Sequence, residues 1–136
     1  MYAAQRGDVA LVRYLVDKGA DIHAADAQRK TALRHAAEWR NTEVLEFFIR
    51  QGADINTRDA DGWTPLIRAA ATNFAGVFDV LLKGGADVNL ADFDGKTALM
   101  HAAENGFTEL VRALLAAGAN PDAVDANGKP RRHTHA

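Results

Sequence analysis

Histidine and glutamate at helical spacing are the side chains here best suited to acid–base or metal chemistry. His35 precedes Glu38 by three positions, and His101 precedes Glu104 by the same interval. That spacing sets each pair on one helical face. The paired acids Asp59/Asp61 and Asp92/Asp94 resemble a carboxylate dyad for general acid–base work. His133 and His135 have chelating spacing near the C-terminus. Each reading meets an obstacle. The acid pairs recur at a constant interval, as turn residues do. Cysteine is absent, so thiol nucleophiles, thiolate ligands and disulfides are excluded. No Gly-rich phosphate loop, Gly-x-Ser-x-Gly elbow or His-Glu-x-x-His occurs. The chain therefore reads as a non-enzyme, with no catalytic residue, cofactor or metal site expected.

Basic residues suggest nucleic acid as a second chemistry. Arg29, Lys30, Arg34, Arg68 and Lys96, with Arg131-Arg132, are the candidates. Acidic residues interleave with them, and the net charge is -2, so the field a polyanion needs is missing. No apolar run is long enough to span a bilayer, and MYAAQRGD at the start lacks the long apolar segment of a signal peptide. A cytoplasmic or nuclear protein is expected, with neither nucleic acid nor membrane as partner.

The elements that must position these residues follow one period. Gly19, Gly52, Gly85 and Gly118 recur every 33 residues, each followed by Ala. Thr31, Thr64 and Thr97 share the period, as do Leu33, Leu66 and Leu99, and the pairs Ala36-Ala37, Ala69-Ala70 and Ala102-Ala103. No insertion interrupts it, so the chain is a stacked repeat array. His35 and His101 then lie two repeats apart, about 20 Å at roughly 10 Å per packed helix layer. They cannot share one metal ion.

Each unit predicts two antiparallel helices and a turn-tipped loop. Thr64 suits an N-cap and Pro65 the first helical position. Leu66, Ala69 and Ala70 form one face of the first helix. The second helix carries an apolar stripe at i, i+1, i+4 and i+5: Val44, Leu45, Phe48 and Ile49, then Val77, Phe78, Leu81 and Leu82, then Leu110, Val111, Leu114 and Leu115. Gly52, Gly85 and Gly118 follow the stripe and fit a left-handed C-cap. Short β-prone stretches (54–56 and 87–89) lead to turns at 59–62, 92–95 and 125–128. No unit can bury its apolar faces alone, so stability comes from stacking on neighbours. The reading is an all-α repeat solenoid in one domain, residues 1–129. It divides into a partial unit 1–30 and full units 31–63, 64–96 and 97–129, with an irregular tail 130–136.

The segments TALRHAA (31–37), TPLIRAA (64–70) and TALMHAA (97–103), with GADINTRDADG (52–62) and GADVNLADFDG (85–95), closely resemble the ankyrin repeat family. Some positions depart from its pattern. Arg34, Ile67 and Met100 stand where the family places His, which puts that residue's buried hydrogen bonds in doubt. Arg29 stands where the other turns have Gly, and a changed turn type or a positive φ must follow. Asn73-Phe74-Ala75-Gly76 replaces the Gly106-Phe107 style of linker, and Gly76 weakens the start of its helix. Phe74 and Phe107, at the linkers, are expected to pack locally. The family also contains proteins with a hydroxylated loop Asn, and Asn56 and Asn89 occupy that slot.

The resemblance implies binding of a protein partner on a concave face of turn tips and first helices. Residues in the variable slots of that face are Lys30, Trp39, Asp61, Trp63, Phe93, Asp94 and Lys96, with a ladder of His35, Arg68 and His101. Trp39, Trp63 and Phe93 are the expected anchors, because large stiff aromatics dominate interface energetics. The ladder has two readings: a stripe facing an acidic partner, or surface pairing of each His with the Glu three residues on. The chain is expected to be monomeric. Two alternative readings stand beside the binding module: a structural segment of a longer array that associates end to end, and an engineered scaffold.

Overall fold

The computed structural model describes residues 13–14, 17–19, 21, 24–27 and 29–122. Within them lie six helices: α1 Ala32–Glu38, α2 Thr42–Arg50, α3 Pro65–Thr72, α4 Ala75–Lys83, α5 Ala98–Glu104 and α6 Thr108–Ala116. The first partial unit and the tail fall mostly outside the described residues.

Threonine starts each first helix. The hydroxyls of Thr31, Thr64 and Thr97 accept from the backbone N–H of Arg34, Ile67 and Met100 at 3.3, 3.2 and 3.3 Å. Each bond satisfies one of the donors that a helix start leaves open. The helices end in left-handed residues at one register position: Arg40 (φ 59), Asn73 (φ 57) and Gly106 (φ 73). Asn73 thus performs the turn that Gly106 performs, and α4 begins normally at Ala75. The second helices close as predicted, with Gly52, Gly85 and Gly118 at φ 86, 92 and 96. The N–H groups of Ala53, Ala86 and Ala119 then reach back to the carbonyls of Phe48, Leu81 and Leu114 at 3.1, 3.1 and 2.9 Å, the six-to-one bond of a glycine C-cap.

Helices α1, α3 and α5 stack side by side in an inner layer, and α2, α4 and α6 pack behind them, α2 against α4. Buried Ala36, Ala37, Ala69, Ala70, Ala102 and Ala103 bring the inner helices close. Leu45, Phe78, Leu81 and Leu114 are fully buried between the layers, each adding about 1.5–3 kcal/mol of burial. Phe74 and Phe107 are half-buried and pack on this core, as expected of linker residues. One stripe position departs: Leu115, in the last described helix, is 42% exposed.

The stretches read as β-prone form turns, and the described residues contain no strand beyond two isolated bridges, Ala25 with Thr31 and Ala91 with Thr97. Side-chain acceptors outcompete the β preference of Ile55 and Val88. Asp54 Oδ1 accepts from the Asn56 N–H and Asp87 Oδ1 from the Asn89 N–H, both at 2.9 Å. The asparagines then reach the next repeat. Asn56 Oδ1 accepts from the Asp87 N–H at 2.9 Å, and Asn89 Oδ1 from the Asn120 N–H at 2.8 Å. No described helix is long and apolar enough to cross a membrane.

Candidate partner-binding face

Three turn aspartates organise the face, and each divides its two carboxylate oxygens between separate tasks. Oδ1 holds the turn: Asp26 accepts from the Lys30 N–H at 3.0 Å. Asp59 accepts from the Asp61 and Trp63 N–H groups at 2.9 and 3.0 Å. Asp92 accepts from those of Asp94 and Lys96, both at 2.9 Å. Oδ2 takes a side-chain donor. His35 Nε2 donates to Asp26 at 2.7 Å and His101 Nε2 to Asp92 at 2.9 Å, each from the helix that follows the turn. The helix after Asp59 has Arg68 in the histidine slot, and there the donor comes from the first helix of the unit that the turn ends: Arg34 Nη2 reaches Asp59 Oδ2 at 2.6 Å.

Arg34 is 1% exposed and buried beside Leu33 and Ala36 in the inner layer. Its Nη1 donates to the Trp63 carbonyl at 2.6 Å, so it fastens one helix to the next turn. Burial pushes its guanidinium below the ordinary pKa, and the carboxylates of Asp59 and Glu38 offset part of that shift. In one of the three slots where the family places His, Arg34 thus has buried hydrogen-bond partners of its own.

The two histidines therefore do not form an outward stripe. His101 is buried and faces Asp92, and its expected partner Glu104 instead pairs with Lys96 at 3.2 Å. His35 faces Asp26, with Glu38 a distant 4.0 Å from Nδ1. The i, i+3 pairing fails at His101 and persists at His35 as the 4.0 Å approach of Glu38, and each histidine also locks a turn nine residues back. At the buried Asp92 the second carboxylate oxygen would otherwise be buried bare.

Because Arg34 supplies Asp59, Arg68 is released to the surface of the face. Its guanidinium lies over the Trp63 ring at 5.1 Å, and Nη2 stands 3.6 Å from Glu38. Glu38 also binds Lys30 at 2.9 Å, so one carboxylate ties two repeats together. Trp63 is half-buried, held between Arg68 and the His101 ring at 5.0 Å, and packs on the core. Of the three expected anchors it is the most covered. Trp39 is 36% exposed and stacks on His35 with ring centroids 4.9 Å apart. Phe93 is 68% exposed at a turn tip, between the exposed Asp61 and Asp94 of successive tips. It lies on Gly62, where an added Cβ would stand 2.7 Å from its Cδ1.

The sequence reading named Lys30, His35, Trp39, Asp61, Trp63, Arg68, Phe93, Asp94, Lys96 and His101 for this face, and singled out Arg34 and Asp59 without pairing them. A signal for the pair was present: the turn at Asp59 is the one followed by Arg68 in the histidine slot.

A family model described as ankyrin repeats (3 copies) matches residues 1–59 and 41–125. No curated protein matches the chain at a significant level.

Proposed function

The chain belongs to the ankyrin repeat family, and from that premise we propose that it binds a protein partner through the face built by its turn tips and first helices. Ankyrin repeats are generally protein–protein interaction modules, and the family is typically non-enzymatic. The observation that carries the reading is the contrast within the face. Three of its cations are engaged internally, Lys30 and Arg68 by Glu38 and Lys96 by Glu104. Trp39 and Phe93 expose apolar rings between them. A rigid face already ordered by its own bonds loses little entropy on association, and stiff exposed aromatics supply the anchors. We assign no catalytic role to the His–Asp pairs, because each fixes a turn.

The test is affinity capture from a native lysate with wild type and Trp39→Ala/Phe93→Ala, both checked by circular dichroism. A partner held by wild type and lost by the folded variant supports the assignment. Equal capture by both refutes it.

A further inference from the structure

The outer layer carries a groove lined by residues that the proposed face does not use. The groove runs between α2 and α4, floored by Ile49 and Val80 and rimmed by Glu46, Arg50, Asp79 and Lys83. The four charged residues are exposed. Among the described residues none of them forms an ion pair.

Their placement follows from the 33-residue register. Glu46 and Asp79 occupy one slot, and Arg50 and Lys83 occupy the slot one helical turn later. One repeat earlier the same slots hold Arg13 and Asp17, opposite in sign; one repeat later they hold Arg112 and Ala116. Each slot thus meets an opposite or neutral neighbour at the other steps. Between α2 and α4 alone, like charges face each other in both slots. Two carboxylates stand at one end of the groove and two cations at the other, about 6 Å apart along each helix.

We infer that this groove receives a helix of a partner protein, lying antiparallel to α2 and α4. That helix would carry Glu at i, an aliphatic residue at i+3 and Lys at i+4. Charge complementarity selects the residues: the partner's Lys meets Glu46 and Asp79, its Glu meets Arg50 and Lys83, and the aliphatic side chain covers Ile49 and Val80. Direction follows from the helix dipole. An antiparallel helix places its positive N-terminal end near its own Glu, and its negative end near its own Lys. Glu preceding Lys at i, i+4 is also the order that stabilises an isolated helix. A parallel helix would need the reverse order and would gain neither effect.

The experiment uses the full chain with isotope labelling and two synthetic helical peptides, one bearing Glu-x-x-Leu-Lys and one Lys-x-x-Leu-Glu. Amide resonances are followed on titration. The first peptide is expected to move resonances in α2 and α4 and to bind about tenfold more tightly than the second, a modest ratio because exposed charge pairs are individually weak. Binding is expected to weaken as salt is raised. The variant Glu46→Gln/Arg50→Gln/Asp79→Asn/Lys83→Gln is expected to bind the first peptide about tenfold more weakly than wild type does. Trp39→Ala/Phe93→Ala is expected to leave that binding unchanged, which separates this site from the turn-tip face. Equal binding of the two peptides, no binding of either, binding of the first peptide undiminished by the fourfold neutralisation, or shifts confined to α1, α3 and α5 would overturn the inference.

Discussion

Replacing Arg34 by Met tests whether one buried arginine holds two repeats together. The side chain is 1% exposed and donates to Asp59 Oδ2 and to the Trp63 carbonyl, both at 2.6 Å. Each charge-assisted bond is worth about 1.5–3 kcal/mol. Against that stands the desolvation of the guanidinium, the first cause of its lowered pKa, which Met relieves. Breaking a buried pair from one side costs about 3–5 kcal/mol. Here Met keeps much of the aliphatic volume, and Asp59 keeps two N–H donors on Oδ1. The expected loss therefore sits at the low end of that range, about 3 kcal/mol. Urea unfolding followed by far-ultraviolet circular dichroism measures it, in a cycle with Asp59→Asn and the double variant. A coupling energy of about 1.5 kcal/mol or more is expected, since the two residues touch. A loss under about 1 kcal/mol for Arg34→Met, or coupling below about 0.5 kcal/mol, refutes the reasoning.

Glycine positions separate conformational strain from steric contact. Gly85 has φ 92 and open space around it, so Gly85→Ala should cost only the left-handed term, about 1–2 kcal/mol. Gly62 has φ 81, and a Cβ there would stand 2.8 Å from the Phe93 backbone nitrogen as well as against its ring. Gly62→Ala is expected to lower the urea midpoint clearly further than Gly85→Ala, and equal midpoints would count against the contact. Arg29 bears φ 67 where the later turns have Gly62 and Gly95. Arg29→Gly should raise thermal stability by about 0.5 kcal/mol, relief of left-handed strain exceeding the added freedom of the unfolded chain; a lowered melting temperature would contradict that.

The repeating parts of the fold were legible because each obeys a local rule. Threonine caps, glycine C-caps and the alanine pairs depend on neighbours within one turn of chain, and the register repeats them without error. Of the two outcomes expected at Arg29, a changed turn type or a positive φ, the second holds. What escaped was set by side chains far apart in sequence. Arg34 and Asp59 are 25 residues apart, and nothing within one helix says that the arginine will reach the turn beyond the second helix. The inward turn of His35 and His101 was hidden for a related reason. Helical spacing brings each near a Glu, but the stronger acceptor is a turn carboxylate nine residues back. Residues 54–56 and 87–89 misled through β preference, which a carboxylate two residues upstream overrode.

The asparagine bonds carry a consequence for how such a chain changes length. Asn56 reaches the Asp87 amide and Asn89 the Asn120 amide, so these two loops each accept from the loop after them at the same register position. A tandem duplication of one whole unit inserts a loop that accepts from its successor and donates to its predecessor, leaving no amide bereft. A duplication of any other length breaks the relay where it lands. A change in length by one whole unit bearing this asparagine therefore leaves its junctions of this kind made.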